Sequence, residues 1–390
     1  MKYWRGFLVA GILAAITIAL TQFAASHTVL VDMIYPYSTR LVVSFLADWS
    51  AGLDACLWQI LALLLGLTVL ASIVLMIVLR WNPIQWLGWV LAGASFIWMF
   101  HTAIYGLNYY AGPLADDVRL EVTEYSVSQL AAATEFYLKE ANALADQVTR
   151  DETGKVSFGA FEELAEQAGE GYRALTFEKN YSVFAGSTAP VKKLGWSGLY
   201  TSMGISGVTI AMTGEAAVNP NIPAVTMPFT MCHEMAHRMS IASEQDANFA
   251  AFLACDANSS VEFRYSAYFM AFRYCYNALA AMPTSTAQAA ATQMKAAIGT
   301  NLKTDLDDYR QYLDTNLDAD AVQMANDAND AYLKNSGDEQ GTASYGAVTD
   351  LLVSWHVQEY VLPLYTPEEE DAFDPFDESQ VDLSGLVNAK

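Results

Sequence analysis

The chain is 390 residues long, 53% hydrophobic and only 16% charged, yet its formal net charge is −23. Apolar and acidic residues therefore occupy different stretches: residues 1–105 hold four basic side chains (Lys2, Arg5, Arg40, Arg80) and three acidic ones (Asp32, Asp48, Asp54), and the rest holds 16 basic against 40 acidic. This rules out a nucleic-acid binder, which needs a basic surface to displace counterions, and it argues against a polybasic reader of anionic lipid and, with 12% aromatic residues, against bulk disorder.

Three uncharged apolar runs come first, at Phe7–Ala25, Trp58–Leu79 and Trp86–Tyr105. At 1.5 Å per residue each is long enough for a ~30 Å hydrocarbon core. Trp58, Trp81, Trp86, Trp89 and Tyr105 lie near their ends, as an interfacial aromatic belt requires. Ala24-Ala25-Ser26 resembles a signal-peptide cleavage site, but the first run is long for a signal peptide and two more spans follow, so it reads as a retained anchor. Lys2 and Arg5 before the first span and Arg80 between the second and third predict a multi-pass protein of the plasma membrane. Its N-terminus is then cytoplasmic and everything after residue 105 extracellular. Tyr35–Trp49 is mildly amphipathic and suits the outer membrane surface. The predicted organisation is a membrane domain at 1–111, a second domain at 112–365 and an acidic tail at 366–390.

After Gly112-Pro113 the pattern becomes helical. Leu130, Tyr137, Leu138, Ala141, Leu144 and Val148 line one face of a helix at 126–149, and Ser157 reads as the cap of a helix at 158–180. Residues 195–228 are broken by Gly204, Gly207, Gly214, Pro220, Pro223 and Pro228, with Val208–Ile210 as one short edge strand. Helical patterns resume at 228–240, 243–256, 259–282, 284–300, 319–335 and 343–362. The fold class expected is mainly α: three N-terminal transmembrane helices, then an α-helical extracellular domain with at most a small sheet. Cys56, Cys232, Cys255 and Cys275 read as free, buried thiols, with a Cys255–Cys275 pair conceivable.

Chemistry enters at His233-Glu234-Met235-Ala236-His237, an H-E-x-x-H pattern. A chain of this composition shows it by chance in roughly a few cases per thousand. On a helix, i and i+4 share a face, so two imidazoles can hold one Zn²⁺ with Glu234 beside the water it activates. Glu234 then takes the water's proton and passes it to the leaving amine. A third ligand is needed. Glu244 lies seven residues after His237, ~10 Å along an unbroken helix, so the chain must turn at Arg238–Ser243. Ser243 is then an N-cap with Asp246 at the capping-box position. Asp246 and the more distant Glu262 are the other candidates; Glu244 is the one expected. Asn248 is a candidate to orient a ligating histidine. Arg264, Tyr265, Tyr345 and His356 are candidate donors to an oxyanion. Glu215 and Asn219 either shape the cleft edge or satisfy a loop, and Cys232, about 100° around the helix from His233, reads as core.

Several segments together resemble one bacterial family. These are Gly214-Glu215 through Asn219 to Pro223, Pro228-Phe229 through His237, and Glu244-Gln-Asp-Ala247-Asn248-Phe249. Gly106-Leu-Asn108-Tyr109-Tyr110, Arg264-Tyr265-Ser266, Ser344-Tyr345-Gly346 and Asp350 agree with them. The family is numbered 3810 in the domain-of-unknown-function series and regarded as metallopeptidase-like. The Glu-x-x-Ala-Asn segment is also similar to the Glu-x-x-Ala-Asp of membrane gluzincins. That likeness implies a zincin-like domain with one zinc per chain and Glu244 as third ligand. Family members often carry Gly three residues after the second His, where this chain has Ser240. The expected function is a membrane-anchored zinc metallopeptidase acting on a peptide or protein; a non-catalytic zinc-containing sensor or scaffold is the alternative.

Overall fold

The computed structural model describes residues 2–337 and 348–364. Four helices come first: α1 (Arg5–Ser26), α2 (Thr28–Ser50), α3 (Leu57–Val78) and α4 (Pro83–Ile104), each long and apolar enough to cross a membrane. Three coincide with the apolar runs. α2 is the addition: where the sequence predicts a short amphipathic segment, a continuous 23-residue helix forms despite Pro36 within it. α1 packs along α4. Of α3 only Gln59 is buried, and Trp86 Nε1 on α4 donates to Ser72 Oγ on α3 at 3.0 Å. Asn82 caps α4 by accepting from Gln85 N at 3.1 Å, with Pro83 at its first position, where a missing N–H costs nothing.

Beyond residue 105 lie α5 (Leu114–Asp117), α6 (Val127–Ala145), α7 (Phe161–Gln167), α8 (Gly169–Phe177), α9 (Ser197–Ser202), α10 (Met227–Arg238), α11 (Glu244–Asp256), α12 (Val261–Ala281), α13 (Ser285–Ala296), α14 (Thr300–Asn316), α15 (Ala319–Ser336) and α16 (Val348–His356). α6, α10, α11 and α12 enclose the core, with Tyr137, Phe249, Phe252, Phe263 and Phe269 fully buried among them. A three-stranded sheet has the order β1 (Lys192–Lys193), β3 (Glu215–Val218), β2 (Gly207–Ile210); β1 runs parallel and β2 antiparallel to β3, in register Gly207↔Val218 to Ile210↔Glu215.

The domain is therefore mainly helical with a small sheet, and β2 is an edge strand as expected. Two readings need correction, whereas the cysteines are free and buried as expected. The helix predicted at 158–180 is two helices, the first starting after Ala160 rather than at Ser157; Ser157 belongs to the preceding turn, where its N bonds Thr149 O at 2.9 Å beside the Arg150↔Val156 bridge. α14 was not anticipated: its stripe of Leu302, Leu306 and Tyr309 is diluted by charged neighbours. All four cysteines are buried and unpaired, so Cys255 and Cys275 form no disulfide. The tail at 366–390 lies outside the described residues.

α2 lies against the later part of the chain along most of its length. Asp32 Oδ1 accepts from Gly112 N at 2.8 Å and Thr39 Oγ1 donates to Ser240 Oγ at 3.0 Å. Arg40 Nη1 donates to Val183 O, Ser44 Oγ accepts from Ser187 N at 2.8 Å, and Ser187 Oγ donates to Asp48 Oδ1 at 2.6 Å. Gly214, at φ +69°, meets α2 so closely that a Cβ would sit 2.2 Å from Ala47 N. The other side of α2 exposes Val29, Met33, Tyr37, Leu41, Phe45 and Trp49 at four-residue spacing.

The sheet is fastened to α3 by a buried ion pair. Lys192 Nζ lies 2.6 Å from Glu215 Oε1 and also donates to Ser50 O (2.8 Å) and Ala55 O (3.3 Å). The Glu215 oxygens accept from Leu57 N (2.7 Å) and Trp58 N (2.8 Å), which caps α3 from a distant part of the chain where helix amides lack internal partners. Glu215→Ala would strand Lys192 unpaired and uncap α3. The expected cost is ~3–5 kcal/mol, read from denaturant unfolding of the full-length protein in detergent.

Candidate metal centre

α10 begins with Pro228 in its first turn and ends at Arg238. The i, i+4 spacing brings His233 and His237 onto one face, with their Nε2 atoms 3.1 Å apart. The helix then stops abruptly. Met239 N shares the carbonyls of Met235 and Ala236, Ile241 N bonds Ala236 O at 3.2 Å, and Ser240 adopts φ +72°. That left-handed conformation costs an L-residue roughly 1–2 kcal/mol, and it sits at the position where Gly was expected. The reversal directs the chain back, and α11 starts at Glu244 after an extended Ser243. No capping box forms: Ser243 makes no side-chain cap bond, and Asp246 Oδ2 instead accepts from Leu114 N at 3.3 Å.

Glu244 Oε2 lies 3.3 Å from His233 Nε2 and 3.5 Å from His237 Nε2. Donors ~2.0–2.1 Å from a tetrahedral zinc ion are ~3.3 Å from one another, so the three separations suit a shared zinc. His237 Nδ1 bonds Ile241 O at 2.8 Å; as the donor there it leaves Nε2 with a lone pair. Two such nitrogens facing each other repel unless a cation or a proton stands between them. Without a metal the proton does this work. Burial opposes charge on both His237 and Glu244, but their mutual attraction and hydrogen bond prevail: His237 is raised to about 9, and Glu244 is held well below the usual carboxylate range.

Glu234 sits behind the pair, 5% exposed. The Thr209 hydroxyl on β2 lies 2.6 Å from its Oε2 and 2.9 Å from its main-chain oxygen. Burial raises its pKa above the usual value, against the pull of His233 and His237. Strand β2 presses so closely that a Cβ on Gly207 would stand 2.4 Å from Glu234 Oε1. All of these groups line a cleft of about 850 Å³ between Gly204–Ile210, the end of α4 with the turn after it (His101, Tyr105, Tyr109), and Asn326, Asn329 and Tyr332 on α15.

Several expected participants are elsewhere. Tyr265 is fully buried and donates to Asp305, which pairs with Arg150. Arg264 does not line the cleft, and Glu262 bonds Ser260 at the start of α12. His356 lies in the core stacked on Tyr360, its pKa lowered to about 4 by burial. Asn248 Nδ2 and His233 Nδ1 are both buried with no hydrogen-bond partner among the described residues, so Asn248 does not orient that histidine. Tyr345 lies outside the described residues. Asn219 is buried and satisfies its loop: its amide donates to Thr201 Oγ1 (3.0 Å) and Ile205 O (3.1 Å) and its oxygen accepts from Asn221 N (3.1 Å). Cys232 is core. The tyrosines that reach the cleft are Tyr105, Tyr109 and Tyr332. Tyr109 and Tyr332 bond each other, Tyr332 OH is 3.1 Å from His101 Nε2, and burial keeps both phenols protonated. Tyr109 stood in the Gly106–Tyr110 segment already singled out in the sequence; Tyr332 had no local signal.

A family model described as "Protein of unknown function (DUF3810)" matches residues 32–353, well over half of the chain. No curated protein and no solved structure matches it.

Zinc analysis of the dialysed full-length protein should give one ion per chain, lost from His233→Ala, weakened by several kcal/mol in Glu244→Ala and unchanged in Glu262→Ala. Normal binding by Glu244→Ala would remove that residue from the site. A pH dependence follows as well. In the metal-free protein His237 is raised from 6.5 to about 9, so its contribution to stability is full below pH 6.5 and is lost as pH rises through about 9. Zinc must displace that proton, so its apparent affinity should fall as pH drops below about 9, by about a decade per unit from this group. Titration with a competing chelator at several pH values reads the slope.

Proposed function

We propose that this chain, which belongs to the DUF3810 family of proteins of unknown function, is a membrane-anchored zinc metallopeptidase. The observation that carries the reading is the convergence of His233, His237 and Glu244 on one point, with the carboxylate of Glu234 lining the same cleft. A zinc ion bound there supplies Lewis acidity, polarising a carbonyl and bringing the pKa of a coordinated water toward ~7.

The chain's own groups have separate tasks. Glu234 accepts a proton from the attacking water and returns it to the departing nitrogen; a carboxyl whose pKa is raised by burial releases that proton less readily to solvent and holds it for the amine. Thr209 fixes its orientation. The neutral phenols of Tyr109 and Tyr332 are the donors available in the cleft to a developing oxyanion. β2 is an edge strand beside Glu234, and its free edge offers backbone partners to an extended peptide. A zinc that served only to hold the fold would need neither a buried carboxylate beside it nor an open cleft.

For the membrane part we read α1, α3 and α4 as spans and α2 as lying in the plane of the surface. Its bonds to loops at Gly112, Val183, Ser187 and Ser240 would otherwise carry irregular backbone through the hydrocarbon, where unpaired polar groups are not tolerated. Its exposed apolar stripe suits the acyl boundary. Lys2, Arg5 and Arg80 then mark the cytoplasmic side, with the cleft outside.

Glu234→Gln keeps volume but accepts no proton. The variant should bind zinc like the wild type while turnover on a peptide library falls ~10²–10⁴-fold. Equal cutting by both would assign the activity to another group or a contaminant. Full zinc occupancy with no peptide cut by wild type would favour the scaffold reading.

A further inference from the structure

The cleft is built directly on the ends of two candidate spans. On one side, His101 in the last turn of α4 and Tyr105 just after it line the cleft. The Tyr105 hydroxyl donates to Ile241 O at 3.4 Å, the same oxygen that holds His237. One side chain and two hydrogen bonds therefore connect the end of α4 to a metal-ligand candidate. On the other side, Val208 of β2 and Trp58 in the first turn of α3 pack against the same small apolar cluster of Cys56, Leu194 and Ala217. Gln59 bonds Gly195 through both its amide nitrogen (3.1 Å) and its oxygen (3.0 Å). Next to that contact Trp196 and Leu199 are 56% and 59% exposed, an apolar pair level with the start of α3. α2 is tied to both span ends: Tyr35 OH, two turns into it, bonds Thr102 O (2.8 Å) near the end of α4, and Ser50 O at its last residue accepts from Lys192 beside the start of α3.

Building on the metallopeptidase reading, we propose that the substrate is a polypeptide anchored in the same bilayer and cut within a few residues of the point where it leaves the membrane. Such a segment emerges at the level of the cleft, where β2 and the α4 end form the two walls. A soluble peptide must instead approach a site built on the ends of two candidate spans, with the exposed Trp196 and Leu199 and the stripe on α2 seated in the lipid interface. The anchor also supplies a high effective concentration, so little affinity is required of the cleft's own contacts.

The test uses the full-length zinc-loaded protein in lipid vesicles. One peptide sequence is presented in three ways: soluble, or joined to a transmembrane helix through a spacer of about four residues, ~13 Å when extended, or of about twenty. Binding is measured on Glu234→Gln and cutting on wild type. The short-spacer form should bind and be cut, and both should fall about tenfold with the long spacer, as effective concentration declines with length. A fluorophore on Met203→Cys in the cleft, selective because the native cysteines are buried, should be quenched by nitroxide at the lipid headgroups, with Leu67→Cys in mid-α3 as the deep reference. Binding of the long-spacer and soluble forms but not the short one would overturn the proposal. So would a Met203 label reached only by an aqueous quencher. If soluble peptide is cut as fast as the short-spacer form, the peptidase reading survives and this one fails. If the short-spacer form binds preferentially but is never cut, the ligand class stands and the peptidase reading fails.

Discussion

Between His237 and Glu244 the chain reverses direction, and the geometry of the site depends on that reversal. An unbroken helix would carry Glu244 about 10 Å along its axis; the turn at Ser240 returns it to within 3.5 Å of both imidazoles. Ser240 is held in an unfavourable conformation by groups from outside the turn. Thr39 of α2 bonds its hydroxyl, Tyr105 at the end of α4 bonds the carbonyl of Ile241, and that carbonyl holds His237. Helices α2 and α4 are thus part of the site's scaffold.

The same turn sets the electrostatics. A carboxylate and two imidazoles, nearly out of water, need a positive charge among them. In the metal-free protein His237 carries it as a proton that Glu244 stabilises. A divalent cation in the same position would satisfy all three donors at once. Glu234 differs because its partner is a hydroxyl rather than a cation. Burial therefore raises its pKa where that of Glu244 falls, and two carboxylates in one cleft acquire opposite proton affinities. Separation of that kind is what acid–base work requires.

Much of this was legible in the sequence, for physical reasons. Apolar runs long enough for a bilayer are visible without tertiary information, and i, i+4 histidines meet on any helix. Glu244 could be reached because helical rise forbids it a place near the histidines unless the chain turns. What could not be read is long-range. β3 is Glu-Ala-Ala-Val and carries little strand propensity; its pairing comes from β1, β2 and the α10 helix packed on it. Tyr265 and His356 look like cleft residues by type, but a helical face pattern does not distinguish a core aromatic from one in a cleft. Tyr332 reaches the site from α15, nearly a hundred residues after His237. Ser157 and the Ser243–Asp246 pair had the right residues for caps, yet Ser157 lies in the local turn closed on Thr149, and Asp246 accepts instead from Leu114 N, far away in the chain.

In the proposed site His233, His237 and Glu244 hold a zinc ion whose fourth position stays open. Zinc K-edge X-ray absorption on the loaded full-length protein tests it most directly. The expected result is four nitrogen or oxygen neighbours at ~2.0–2.1 Å, two of them imidazoles, with a non-protein oxygen that an added hydroxamate replaces. A sulfur neighbour, or a six-oxygen shell without imidazole scattering, would contradict it.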